Sequence, residues 1–213
     1  PSGCGKSTIA RVALQILPKG CVCQGDLLVA GKDPRELDQS ELRMLRGKSV
    51  GLVFQDPMTR LNPLLTIGGH LIDTLKSHLP AKSSRWHKQR AEDLLERVTG
   101  ELSSGQKNRI SLAKALINEP SVLLLDEPTA SLDPEIGDFV RTFLEDYVKE
   151  KKISILLASH NMNEVTRLCS SILMMKEGNI IDRGKPEELI KKHGRKNLEE
   201  VFLKLSRDEN EFY

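Results

Sequence analysis

PSGCGKST, residues 1–8, is the stretch from which the fold can be read. Gly5, Lys6 and Ser7 fill the second half of the pattern glycine, four residues, Gly-Lys-Ser/Thr, whose opening glycine is expected one residue before Pro1. Side-chain-free glycines let successive backbone N–H groups turn inward on a phosphate, and the helix that follows adds the partial positive charge of its N-terminus. Lys6 then reaches the outer phosphates and Ser7 offers a hydroxyl to Mg²⁺. The alternative is a plain Gly/Ser turn before a helix, and the rest of the chain has to choose between the two.

Outward from there, Thr8–Leu17 carries apolar residues at helical spacing and stops at Pro18. Leu27–Ala30 reads as a short strand, and Ser40–Arg46 as a short helix capped by Ser40. VGLVF, Val50–Phe54, is a compact β-rich run ending on Gln55. DPMTRLNPLLTIGG then leads into a helix from about Leu64 to His78, and Arg85–Val98 is a charged amphipathic helix. LSSGQ, Leu102–Gln106, opens another helix reaching about Asn118. SVLLL, Ser121–Leu125, is a continuous apolar strand of the kind buried on both faces of a parallel sheet, and Asp126-Glu127 follow it directly. A long helix starts at Pro134 or Glu135. ISILLA, Ile153–Ala158, reads as a second buried strand that stops just before Ser159-His160. Ile172–Met175 and Ile180–Asp182, joined through Glu177-Gly178-Asn179, read as a hairpin.

Strands alternating with helices argue an α/β fold with a parallel sheet flanked by helices. Gln55, Asp126-Glu127 and His160 each follow the C-terminal end of an expected strand, the edge where open α/β sheets bind ligands. The phosphate loop belongs on the same edge, so four separate segments deliver polar groups to one crevice. VLLLDEP places one carboxylate toward Ser7 and its Mg²⁺, and the next where it can polarise a water. Ser-Ser-Gly at a helix start presents hydroxyls and N–H groups to a phosphate oxygen, although alone it is ordinary capping by Ser103 or Ser104. His160 alone reads as a hydrogen-bonded structural histidine, and Gln55 as a loop amide.

The 213 residues make one large domain or two small ones. Lys+Arg 32 against Asp+Glu 30 leaves a net charge of +2, too little to argue for nucleic acid, and 4% aromatics argue against base-stacking surfaces. No apolar run approaches the roughly 20 residues needed to span a bilayer. Cys21 and Cys23 stand as C-x-C without a second pair or a histidine cluster, so the cysteines read as reduced thiols of a cytosolic domain.

The set GCGKST, VFQDP, LSSGQ, LLLDEPTASLD and ASH, in this order, resembles the nucleotide-binding domain of ABC ATPases over essentially the whole chain. The resemblance implies a P-loop NTPase with an ABC-type helical subdomain at about 57–117, all within a single domain over 1–213. It implies ATP and Mg²⁺ as ligands. Ser2, Gly3, Cys4, Gly5, Lys6, Ser7 and Thr8 match the Walker A cradle, with Ser7 on Mg²⁺. Gln55 matches the Q-loop glutamine, a Mg²⁺ and water contact. Asp126 matches the Walker B metal carboxylate, Glu127 the general base, and His160 the switch histidine on the γ-phosphate. Ser131, Leu132 and Asp133 match the D-loop. Ser103, Gly105 and Gln106 match the signature that acts on ATP held by a second protomer. A dimer of ATPase domains, transmembrane permease subunits docked through QDPMTRLNP and the following helices, and a place on the cytoplasmic face of the membrane follow from the same likeness. A soluble ABC-type ATPase acting on DNA or ribosomes is the competing class, disfavoured by the near-neutral charge.

Three departures accompany the resemblance. The family's first strands and its adenine-stacking aromatic lie upstream of the phosphate loop, so the chain reads as N-terminally truncated, an incomplete domain lacking a mid-sheet strand and weak in hydrolysis alone. An inactive ABC ATPase fragment that keeps the family's motifs is the alternative reading. LSSGQ has Ser104 where the family has glycine, which keeps the backbone N–H and predicts retuning. VTGELSSGQ is compressed, and VFQDPMTRLNPLLTIGGHL resembles peptide or nickel importer ATPases whereas the chain from LSSGQKNRISLAKAL to NLEEVFLKL resembles exporter ATPases. A junction near Gly100-Glu101 is therefore expected.

Overall fold

The computed structural model describes residues 5–54, 62, 64–99, 106–130 and 132–207. Its central sheet holds β1 (Val50–Val53), β2 (Val122–Asp126) and β3 (Ser154–Ala158), all parallel, in the order β1-β2-β3. Val53 pairs with Leu125, Leu125 with Leu157, and Asp126 with Ala158, so the three strands end together on one edge. Their side chains alternate between faces. Leu124 of β2 joins one core and its neighbours Leu123 and Leu125 the other. This two-sided burial is why β2 is apolar from Val122 to Leu125.

On the Leu124 face lie α1 (Lys6–Ala13), α2 (Gln39–Met44) and a single π-helical stretch, Leu45–Ser49. Ala10, Ala13, Leu14, Leu42 and Leu45 bury there. The opposite face carries α3 (Ile67–His78), α4 (Ser84–Thr99), α5 (Gln106–Leu116) and α6 (Pro134–Lys151). Leu71, Leu75, Leu94, Leu116 and Leu144 share one core with Leu123 and Leu125, each burial stabilising by about 1.5–3 kcal/mol. A third core, around Val165, Met174, Leu189 and Val201, joins α7 (Met162–Leu168), β4 (Ile172–Lys176), β5 (Asn179–Gly184), α8 (Pro186–His193) and α9 (Leu198–Arg207). Among the described residues no helix is long and apolar enough to cross a membrane.

The hairpin forms as the sequence predicts. Glu177 (φ 51°) and Gly178 (φ 82°) make a two-residue turn with both centres left-handed, the type that matches strand twist, and Lys176 pairs with Asn179. Four expectations are corrected. α1 ends at Ala13 instead of Leu17, because Gln15 turns left-handed at φ 51° before Pro18 is reached. Leu27–Ala30 is not a strand: Ala30 and Gly31 are both left-handed and fold the chain back after a single bridge between Val29 and Lys32. The cap of α2 is Asp38 and not Ser40. Its side chain accepts from the Glu41 N–H at 2.8 Å while its own N–H donates to Glu41 Oε2 at 3.2 Å, a capping box. Finally, β3 is not buried on both faces. Leu156 is 41% exposed, and a cavity of about 640 Å³ lies between β3 and β4, with no strand paired to the outer edge of β3 among the described residues. The Gly100-Glu101 junction lies outside the described residues.

Candidate nucleotide site

Gly5 stands at the N-terminus of α1 with φ 96°, a conformation glycine adopts without penalty, and its carbonyl accepts from the N–H groups of Thr8 (3.0 Å) and Ile9 (3.3 Å). The first turn of α1, which starts at Lys6, holds no acidic residue of its own, so its N–H groups keep the partial positive charge of a helix N-terminus. One residue further, the Ser7 hydroxyl donates to Asp126 Oδ1 at 2.9 Å, tying the start of α1 to the end of β2 across 119 positions of sequence. The expected pairing of Ser7 with the strand-end carboxylate is thus present in the geometry.

Asp126 and Glu127 are both buried, at 6% and 8% exposed. A buried carboxylate needs hydrogen bonds to stay there. Glu127 obtains them from the loop after β3. The His160 ring donates from Nδ1 to Oε1 at 2.7 Å, and the His160 N–H reaches Oε2 at 3.5 Å. The carboxylate, acceptor-only, fixes that nitrogen as the donor. The imidazole itself remains 64% exposed, turned toward solvent around this contact. Glu127 also adopts φ 51°, uncommon for a residue with a side chain. Its N–H donates to the Ala158 carbonyl at 2.8 Å, and its carbonyl accepts from the Ala130 N–H at 3.3 Å.

Asp133, six residues after Glu127, caps α6 by accepting from the Ile136 N–H at 3.0 Å. Gln106 is the first residue of α5. Ser2, Gly3, Cys4, Gln55, Ser103 and Gly105 lie outside the described residues. The structure also adds residues that the sequence reading passed over. Glu164 is 1% exposed and accepts the hydroxyls of Thr129 (2.9 Å) and Ser159 (2.6 Å). Asn161 caps α7 by accepting from the N–H groups of Asn163 and Glu164. The visible signal was the spacing of Asn161 and Glu164, which reads as an ordinary helix start. The arrangement offers a helix N-terminus for phosphate, two adjacent oxygen donors for a hard cation, and a buried carboxylate with an imidazole on it.

A parallel sheet with a helix opened by Gly5-Lys6-Ser7 and a hydroxyl–carboxylate pair at its C-terminal edge defines a P-loop NTPase. A family model described as "ABC transporter" matches residues 1–130. The chain belongs to the ABC transporter family. A probable D,D-dipeptide transport ATP-binding protein of Escherichia coli K12 is 34% identical over 203 residues, which is 89% of this chain and 62% of that protein. An oligopeptide transport ATP-binding protein of Bacillus subtilis 168 is 32% identical over 202 residues, 88% of this chain and 56% of that one. The chain thus spans about three fifths of the length of these relatives, and the likeness to peptide transport proteins runs through both of its halves. A dimeric ATP-binding cassette in a post-hydrolysis state with ADP and Pi superposes with a TM-score of 0.75 at 27% identity, covering 87% of this chain and 82% of that one. Clostridium perfringens cbiO1, part of an ABC transporter complex, gives 0.72 at 32% identity, covering 97% and 82%.

Proposed function

We propose that this chain is the ATP-binding and ATP-hydrolysing part of an ABC membrane transporter that imports peptides, paired head to tail with a second ATPase domain and coupling MgATP hydrolysis to transport. The observation that carries the reading is the Ser7–Asp126 hydrogen bond with Glu127 next in sequence and held by His160. The peptide cargo is supported by the names of the relatives.

Ser2, Gly3, Cys4, Gly5, Lys6 and Thr8 cradle the phosphates, with Lys6 supplying a cation to the outer ones. Ser7 and Asp126, together with Gln55, are the residues that hold Mg²⁺; oxygen donors with room for phosphate and water suit that ion. When bound it neutralises charge on the transferred phosphoryl group. Glu127 accepts the proton of the attacking water, and burial keeps its carboxylate out of bulk solvent. His160, held at Nδ1 by Glu127 and exposed on its outer side, contacts the γ-phosphate. Ser103, Gly105, Gln106 and Asp133 serve the nucleotide bound by the second protomer.

Transmembrane permease subunits are the further partner, which puts the chain at the cytoplasmic face of the membrane. Residues from about 57 to 117 make up the helical subdomain. A groove of about 570 Å³, lined by Phe54, Asn62, Leu65 and His70, supports docking between that part and β1. The deciding experiment is phosphate release by the purified full-length protein with MgATP. Glu127→Gln should cut turnover by about 10²–10⁴-fold, the worth of a general base, while ATP binding stays. Undiminished turnover in Glu127→Gln would sink the assignment.

A further inference from the structure

We propose that Glu164 is a positioning residue for the hydrolytic step: one buried carboxylate that locks the turn bearing Glu127 to the turn bearing His160. This rests on the hydrolytic reading above. Glu164 touches none of the groups placed around the phosphates, yet at 1% exposure it is more deeply buried than Asp126 or Glu127. Each of its oxygens is used on a different loop. Oε1 accepts from the Thr129 hydroxyl at 2.9 Å, two residues after Glu127. Oε2 accepts from the Ser159 hydroxyl at 2.6 Å, one residue before His160.

The grip is itself anchored. The Glu164 N–H donates to Asn161 Oδ1 at 3.2 Å, and Ser159 Oγ accepts from the Asn161 N–H at 3.0 Å. The carboxylate, the loop after β3 and the start of α7 therefore form one hydrogen-bonded unit. Glu127 gives this unit something to hold. Glu127 stands at φ 51°, a costly conformation for a residue with a side chain, and the Thr129 contact fixes the turn that Glu127 opens. A carboxylate suits the task because both of its oxygens accept, and hydroxyl-to-carboxylate hydrogen bonds are among the stronger ones. Released, Glu127 is able to relax its backbone and lose its alignment with His160. A misplacement of about 1 Å at a reacting group costs about 10²-fold in rate.

The test uses the full-length protein and two readouts. In MgATP hydrolysis, Glu164→Ala is expected to lower kcat by about 10²-fold with KM within about twofold, since no phosphate contact is removed. Glu164→Gln, which keeps an acceptor for Thr129 and a polar group on Ser159, should recover most of that rate. Leu189→Ala, in α8 and in the core that also holds Val165 of α7, is the control: it weakens the packing beneath the lock without removing any hydrogen bond of it, with kcat unchanged. The second readout needs no turnover. Amide hydrogen exchange in segments 126–130 and 158–162 should speed up together in Glu164→Ala, and in Thr129→Val and Ser159→Ala as well. If exchange in the two segments stays at the wild-type rate, or kcat in Glu164→Ala matches the Leu189→Ala control, the lock does not exist. An inert wild type with the expected exchange pattern would sink the hydrolytic reading and leave the lock standing.

Discussion

Gly51→Ala should destabilise the protein from a position that carries no chemistry. Gly51 sits in β1 beneath α5, and a Cβ built there would meet the Ala115 carbonyl oxygen at 2.4 Å, Leu123 Cδ1 at 3.0 Å and Pro120 Cγ at 3.1 Å. Side chains can rotate away; the carbonyl belongs to helix backbone, so α5 must retreat by roughly 1 Å to restore ordinary contact distance. Overpacking of this kind costs about 1–3 kcal/mol, and a backbone obstacle puts it at the upper end. Replacing a strand glycine returns about 0.5–1 kcal/mol of unfolded-chain entropy. The net is about 2 kcal/mol, which at this chain length lowers Tm by about 4–8 °C. Thermal unfolding followed by far-UV circular dichroism measures it, with Gly68→Ala as the control. Gly68 is in α3 with nothing within 4 Å of its would-be Cβ, so that variant should gain stability. A Gly51→Ala Tm at or above wild type would refute the packing argument.

Two further outcomes follow from ionisable groups. Burial pushes the Asp182 carboxyl up, but hydrogen bonds from Lys192, His193 and the Arg183 N–H outweigh it and hold the group at about 2. Its folded value lies below the unfolded one, so the stabilisation is complete above about pH 4 and is lost as pH falls toward about 2. Asp182→Asn should therefore cost up to about 2 kcal/mol in urea unfolding at pH 7, with the gap to wild type narrowing through that acid window. A gap that is constant from pH 7 to pH 3 contradicts the assignment. Cys169 is pushed up to about 11 by burial and then by Glu164. At pH 8 its alkylation by iodoacetamide should trail that of exposed Cys21 by about a hundredfold, read by peptide mass spectrometry; equal rates would count against its burial.

What the sequence disclosed and what it withheld divide along physical lines. β2 was legible because four successive apolar residues, Val122–Leu125, satisfy a strand covered on both faces, and the Asp126-Glu127 pair marks its end. The Ser7–Asp126 pairing was legible because the phosphate-loop pattern specifies a hydroxyl and the strand end a carboxylate. β3 misled: ISILLA is as apolar as β2, but apolarity does not say whether a neighbour pairs with the strand's outer edge. The left-handed Gln15 and Ala30 carry no glycine signal, so the early end of α1 and the loss of the Leu27–Ala30 strand were hidden. Asp38 was readable and missed, since Asp-x-x-Glu is the capping-box spacing. Glu164 was not readable. On a short helix it passes for a solvent-facing acid, and its partner Thr129 lies 35 positions away.

The two contacts at the heart of the crevice also differ in when the chain can make them. Glu127 and His160 are 33 positions apart, Ser7 and Asp126 are 119. Closing the longer loop costs about 1 kcal/mol more chain entropy. During synthesis the order is fixed more firmly still. The ribosome delivers α1 before β2, with the Ala10 and Ala13 face not yet covered by Leu124. The Ser7 hydroxyl waits until β2 has been translated, so of the two contacts it is the one whose first-made partner stays unpaired for the longer stretch of synthesis, 119 positions against 33.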